Sequence, residues 1–267
     1  MKTILITGAT DGIGRETARI LRSLNHNVLI HGRSEEKLRI TESELLALPG
    51  DGAVTSYRAD LSRLSEVDAL ATRITAEHSA LDVLINNAGV YNATTTSTDD
   101  GFDIRFMVNT IAPYLLTKRL LPLLGSSGRV VNLSSAAQAP VNLKALRGEA
   151  RLSDHAAYSQ SKLALTMWSR SLALELGDRG PMIVAVNPGS LLATKMVKQA
   201  FGVPGSDIRI GADILRRAAL APEFASATGQ YFDNDSGRFA PPHPDGLDPR
   251  KSDEIVRVIE TMLTDKM

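Results

Sequence analysis

Six short runs rich in β-branched and apolar residues, at about 3–7, 27–31, 53–58, 82–86, 128–134 and 181–187, alternate along the chain with longer segments of helical spacing. Ile13, Thr17, Ile20, Leu21 and Leu24 follow the first run in that way, and Leu61, Leu64, Val67 and Leu70 follow the third. Such alternation calls for parallel strands joined by helical crossovers, an α/β doubly wound sheet. Right-handed crossovers bring the carboxyl ends of all the strands to one edge, so ligand-binding residues belong at those ends. No internal repeat or low-complexity linker divides the chain, and residues 1–267 read as a single domain.

Composition narrows the classes of partner. Thirty basic residues cancel thirty acidic ones, so no net field draws a polyanion or an anionic bilayer. The 1 Trp, 5 Tyr and 6 Phe are too few and scattered for a base-stacking surface, which argues against nucleic acid. The absence of cysteine excludes disulfides, thiolate nucleophiles, Cys-ligated zinc and iron–sulfur clusters, and no metal site is expected. Met1 to Ile6 lacks the pattern of a signal peptide, and the run Leu115 to Leu124 is broken by Thr117, Lys118, Arg119 and Pro122. A cytoplasmic protein without a membrane span is expected.

After the first strand comes Thr7-Gly8-Ala9-Thr10-Asp11-Gly12-Ile13-Gly14, which opens directly into a helix. Its glycines let the backbone turn tightly and approach a pyrophosphate, whose charge meets the free N–H groups of the helix terminus. A turn that merely joins strand to helix is the plainer alternative. The second strand ends His31-Gly32-Arg33, where an NAD-selective site places a carboxylate for the ribose hydroxyls. Here Gly32 leaves room and Arg33 offers a guanidinium suited to a 2′-phosphate, so NADP(H) is expected over NAD(H). Asp11 opposes that preference if it faces the phosphate, and Arg15 or Lys37 could compensate. His31 reads as a packing residue. Tyr158 and Lys162, four apart in a helical run, share one face, and an ammonium beside the phenol would lower its pKa.

These features and several others resemble the short-chain dehydrogenase/reductase family over nearly the whole chain. The resemblance rests on the Thr7-to-Gly14 loop, Asp60-Leu61, Asn86-Asn87-Ala88-Gly89, Asn109, Ser134-Ser135, Tyr158 with Lys162, and Asn187-Pro188-Gly189. Phe106 to Asn109, Arg129 to Ser135 and Gly229 to Phe232 are most similar to the retinol-dehydrogenase-like branch. The resemblance implies a doubly wound (Rossmann) seven-stranded parallel sheet with helices on both faces. It makes Tyr158 the general acid/base for hydride transfer between a nicotinamide and a carbonyl or alcohol. Lys162 would tune Tyr158 and hold the nicotinamide ribose, Ser135 would donate to the substrate oxygen, and Asn109 would hold a water linking Lys162 to solvent. Gly8, Thr10, Asp11, Gly12, Ile13 and Gly14 would cradle the cofactor phosphates, and Arg33 the 2′-phosphate. Asp60 and Leu61 would flank the adenine, Asn87, Ala88 and Gly89 its ribose, and Pro188 and Gly189 the nicotinamide. Thr194 is the candidate for a further cofactor contact, one residue beyond the usual family spacing.

Residues 136–155 and 190–210 lack a clean period and are expected as lid segments over the binding edge, ahead of a last helix near 252–264. Their few charges argue only against a highly anionic substrate; the function expected with the family resemblance is reduction of a small or medium lipophilic ketone or aldehyde, or oxidation of the corresponding alcohol. His155 reads as a surface or substrate-contact residue, and Asp233, Asn234 and Asp235 as a solvated turn rather than a cation site. A homodimer or homotetramer through the helices of Asn109 and Tyr158 would use Leu115, Leu116, Leu120, Leu121, Leu163 and Trp168, a monomer with these in its core being the rival. A noncatalytic nucleotide sensor or scaffold, or a cofactor-dependent isomerase or dehydratase, is the alternative function.

Overall fold

The structure, a computed structural model, describes residues 1–267 apart from the side chains of 200 and 201. Strands and helices alternate as β1 (Thr3–Ile6), α1 (Gly12–Ser23), β2 (Asn27–Gly32), α2 (Glu35–Leu46), β3 (Val54–Arg58), α3 (Leu64–Glu77) and β4 (Val83–Asn86). Then come α4 (Ile104–Phe106), which runs through a π-helical turn at Met107–Ile111 into α5 (Ala112–Leu124), and β5 (Arg129–Leu133). The rest comprises α6 (Leu143–Leu146), α7 (Asp154–Leu176), β6 (Met182–Asn187), α8 (Lys195–Phe201), α9 (Ile208–Leu220), β7 (Tyr231–Asp233), β8 (Arg238–Phe239) and α10 (Pro249–Lys266).

The strands form one sheet in the order β3-β2-β1-β4-β5-β6-β7-β8. The first seven are parallel, and Ile6 sits beside Ile30 on one side and Ile85 on the other. The expected seven-stranded sheet thus gains an eighth member, a two-residue strand antiparallel to β7 with Phe239 opposite Phe232. Because the chain runs outward from β1 to β3 and then returns to lay β4 on the other side of β1, the order reverses between β1 and β4. That reversal opens a crevice at the strands' carboxyl ends.

Alternation along each strand feeds two apolar layers. Leu5, Leu29, Leu84 and Val130 face α3, α5, α7 and α10, while Ile4, Ile6, Val28, Ile30 and Val131 face α1, α2 and α9. The C-terminal helix matters most for the expected pairing surface. Ile255, Val258, Ile259 and Met262 of α10 join the layer that holds Leu163 and Trp168 of α7. Tyr114 on α5 stacks edge-on against Trp168 and donates to Glu260 at 2.6 Å, and Ser171 donates to Asp253 at 3.0 Å. Leu115, Leu116, Leu120, Leu163 and Trp168 are therefore buried in this chain's own core rather than forming an outer face. A period of 3.6 shows which stripe is apolar but not what covers it.

The two expected lid segments each contain a short helix, α6 in the first and α8 in the second; the side chains of 200 and 201 in the second lie outside the described residues. Among the described residues no helix is long and apolar enough to cross a membrane.

Candidate active site

The carboxyl ends of β1 to β6 open into one cavity of about 920 Å³. It brings together Gly8, Thr10, Asp11, Gly12, Ile13, Arg33, Asp60, Leu61, Asn87, Ala88, Gly89, Ser135, Tyr158, Lys162, Pro188, Gly189 and Thr194. Gly14 and Asn109 stand behind its wall.

The turn after β1 is fixed by its neighbours. Gly8 has φ +66°, and a Cβ there would lie 2.9 Å from Ala88 Cα, so both its conformation and its packing require glycine. A Cβ on Gly14 would lie 2.5 Å from the Gly8 carbonyl, so this residue lets α1 pack on the turn rather than meeting a ligand. Asn87 Nδ2 donates to the carbonyls of Thr7 at 2.9 Å and Gly8 at 3.1 Å, which locks the end of β4 to the turn. Asp11 caps α1, accepting from the Gly12 N–H at 2.8 Å. His31 is more than packing. Its Nδ1 accepts from the Gly8 N–H at 3.3 Å while its Nε2 lies 3.0 Å from the Ala59 carbonyl, so a neutral imidazole latches the turn to the end of β3. Burial pushes its pKa down to about 4.

Charges gather beyond β2. Arg33 is exposed and has no ion-pair partner among the described residues. Asp11 is paired with Lys37 at 3.4 Å, both half-exposed, while Arg15 grips Glu44 through Nε at 3.1 Å. Asp60 holds its own loop, accepting from Ser62 N–H at 2.9 Å and Oγ at 2.8 Å. Despite its shifted spacing Thr194 reaches the cavity as the cap of α8, and a Cβ on Gly12 would lie 3.8 Å from its Cγ2.

At the other end of the cavity, the pair after β5 divides as alternation demands. Ser134 is buried against α7, 2.7 Å from Thr166 Oγ1, whereas Ser135 lines the cavity with Tyr158, its Oγ accepting from Ala137 N–H at 3.1 Å. Tyr231 Oη at 3.1 Å and Gln138 Nε2 at 2.9 Å both donate to the Ser135 carbonyl and hold that residue in place. Lys162 is 3% exposed, donates to the Leu133 carbonyl at 2.6 Å, and places Nζ 5.7 Å from the Tyr158 ring centroid.

Burial raises the Tyr158 pKa, the Ser135 hydrogen bond lowers it, and neighbouring Tyr91 raises it. The expected lowering by Lys162 is not among these influences. Burial brings Lys162 itself down to about 7, so much of it is neutral near neutral pH. Asn109 lies in the π-helical turn with its amide fully engaged. It accepts from Val90 N–H at 2.8 Å and donates to Val90 O at 3.0 Å and Ser161 Oγ at 2.9 Å, so its side chain holds the wall beside Gly89 and Lys162.

Three supports had no reading of this kind in the sequence. Arg105, 1% exposed, bonds Asp103 at 2.6 Å and Asp154 at 2.5 Å, tying α4 to the first turn of α7. Asp233, Asn234 and Asp235 brace the loop after β6: Asn187 donates to both aspartates at 2.8 and 2.9 Å, Asp235 accepts from Ser190 N–H and Oγ, and Asn234 donates to Pro188 O. Tyr91 lies on Tyr158. Only the run of Asp and Asn at 233–235 could have flagged the brace.

Residues 2–202 match the short chain dehydrogenase family. Retinol dehydrogenase 13 of Homo sapiens is 31% identical over 253 residues, covering 87% of this chain and 76% of that protein. Retinol dehydrogenase 12 of Mus musculus is 36% identical over 243 residues, covering 86% and 77%. A crystal structure of an uncharacterised protein from Mycobacterium paratuberculosis superposes with a TM-score of 0.80 at 28% identity, covering 99% of this chain and 94% of that one. With its Rossmann-like sheet, glycine turn and Ser, Tyr and Lys gathered in one cavity, the chain belongs to the short-chain dehydrogenase family of nicotinamide-dependent oxidoreductases, on its retinol-dehydrogenase-like side.

Proposed function

We propose that the protein reduces small or medium lipophilic ketones and aldehydes with NADPH, or oxidises the corresponding alcohols in reverse, with Tyr158 as general acid/base. The observation that carries this reading is the meeting of Ser135, Tyr158 and buried Lys162 in the same cavity as the glycine turn. A sensor or scaffold has no need of a phenol and a serine lining one cavity beside a buried amine.

The residues fit a nicotinamide dinucleotide. Gly8 and Gly14 let the turn and α1 pack closely on Asn87 and Ala88, and the free N–H groups at the amino end of α1 suit a diphosphate. Arg33 and Lys37, which line the cavity, would suit a 2′-phosphate, Asp60 and Leu61 the adenine, and Asn87 to Gly89 its ribose. Pro188, Gly189 and Thr194 suit the nicotinamide end. When bound, the reduced cofactor supplies hydride.

The protein's part is to hold the carbonyl and to provide the proton. Ser135 donates to the developing oxyanion and Tyr158 protonates it, the work of a positioned acid. Ribose hydroxyls would add hydrogen bonds to the one Lys162 makes to the Leu133 carbonyl, and such partners favour its charged form, which in turn favours phenolate at Tyr158. Asn109 keeps Val90 and Gly89 in place beside that lysine. Loss of reduced-nicotinamide absorbance over a panel of ketones and aldehydes tests the reading. Turnover is expected with lipophilic members; none with any carbonyl, and none with any alcohol and NADP⁺, would overturn it.

A further inference from the structure

Tyr91 and His155 serve none of the roles above, yet both line the cavity beside Tyr158. The Tyr91 ring lies against the Tyr158 ring with centroids 4.9 Å apart and planes at 49°. Its hydroxyl meets His155 Nδ1 at 3.4 Å. His155 stands three residues before Tyr158 on α7, and that spacing sets the imidazole on the phenol's side of the helix. The nearby wall is apolar, with Ile104, Val108, Leu192, Met196 and Val197.

We infer that Tyr91 and His155 form a recognition pair for a second oxygen of the substrate. The preferred substrates are then ketones or aldehydes that carry a hydroxyl or carbonyl on the carbon next to the reacting C=O, with an apolar remainder against the wall. The inference rests on Tyr158 being the proton donor. Because the two rings are in contact and both line the cavity, a ligand whose carbonyl meets Tyr158 has its adjoining atoms beside Tyr91 and His155, and phenol and imidazole can each donate or accept. An oxygen on the adjacent carbon adds a hydrogen bond to this pair, which a plain ketone cannot make. Reduction of an α-hydroxyketone adds hydride from the reduced nicotinamide to the carbonyl carbon and a proton to its oxygen. The product is a vicinal diol, and the second oxygen is unchanged.

The test compares benzoin with deoxybenzoin, which differ only in the α-hydroxyl, by kcat/KM with NADPH. The wild type is expected to favour benzoin by about tenfold or more, the scale of one or two hydrogen bonds at a partly exposed site. In Tyr91→Phe/His155→Ala the ratio is expected to fall close to one, with the loss in KM for benzoin. Tyr91→Phe keeps the ring on Tyr158, and His155 is exposed, so both changes spare the core. A wild type without preference, or a ratio unmoved in the double variant, would overturn the inference. If Tyr158→Phe reduced both ketones at the wild-type rate, the proton-donor reading beneath it would be the part that fails.

Discussion

Arg33→Ala probes the choice of coenzyme. Arg33 is exposed at the end of β2 and has no acidic partner among the described residues, so its guanidinium is available to a 2′-phosphate without first breaking an ion pair. A charge-assisted hydrogen bond contributes roughly 1.5 to 3 kcal/mol, a factor of about ten to a hundred and fifty in affinity. Against it stands Asp11, whose carboxylate is 3.4 Å from Lys37 and half-exposed, so its repulsion is shared with a cation and screened by solvent to well under about 1 kcal/mol. The attraction wins. Steady-state kcat/KM should favour NADPH over NADH by about ten- to a hundredfold in the wild type. Arg33→Ala should remove most of that preference through KM for NADPH, and Asp11→Arg should increase it. Equal efficiencies in the wild type, or a preference that survives Arg33→Ala, would show that Arg33 does not meet the phosphate.

Other outcomes follow from the supports around the cavity. His31 stays neutral in the folded chain down to about pH 4 but is protonated below about 6.5 when unfolded, so the unfolded state binds the extra proton and stability falls as pH drops through that window. On the order of 3 kcal/mol rides on it; urea midpoints between pH 7 and 4.5 should fall less steeply in His31→Gln, and equal slopes would refute the latch. Asp235→Ala removes three hydrogen bonds from the loop of Pro188 and should cost about 1 to 3 kcal/mol with a raised coenzyme KM, read by thermal unfolding and kinetics; unaltered values would refute the brace. Because α10 covers Leu163 and Trp168, sedimentation at micromolar concentration should show a 28.7 kDa species, and a dimer would show that pairing uses another face.

Local pattern made the fold legible wherever an element was long enough to show its period. The run read at 27–31 became Asn27–Gly32 and that at 181–187 became Met182–Asn187, because continuous β-branched residues between turn signals mark buried parallel strands. β7 and β8, of three and two residues, are too short to show any alternation and owe their pairing to the sheet edge that β6 offers. The cavity residues were legible because phosphate and nicotinamide chemistry demands them at strand ends. Their supports were not. The Asn109 amide and the Arg105–Asp154 ion pair depend on partners 19 to 52 positions away, and His31 gains its role from Gly8 and Ala59, so nothing local distinguishes a latch from a packed ring. The pKa of Lys162 likewise follows from its burial, which its spacing from Tyr158 alone does not reveal.

Tyr158→Phe tests the central claim most directly, since it removes one oxygen and leaves the ring packed on Tyr91. The paired measurement is kcat for a reducible ketone and the dissociation constant for NADPH on the same preparation. The account predicts a fall in kcat of about a hundredfold or more with NADPH binding retained, as expected when a positioned general acid is lost. A variant that kept more than about a tenth of the wild-type kcat would contradict it.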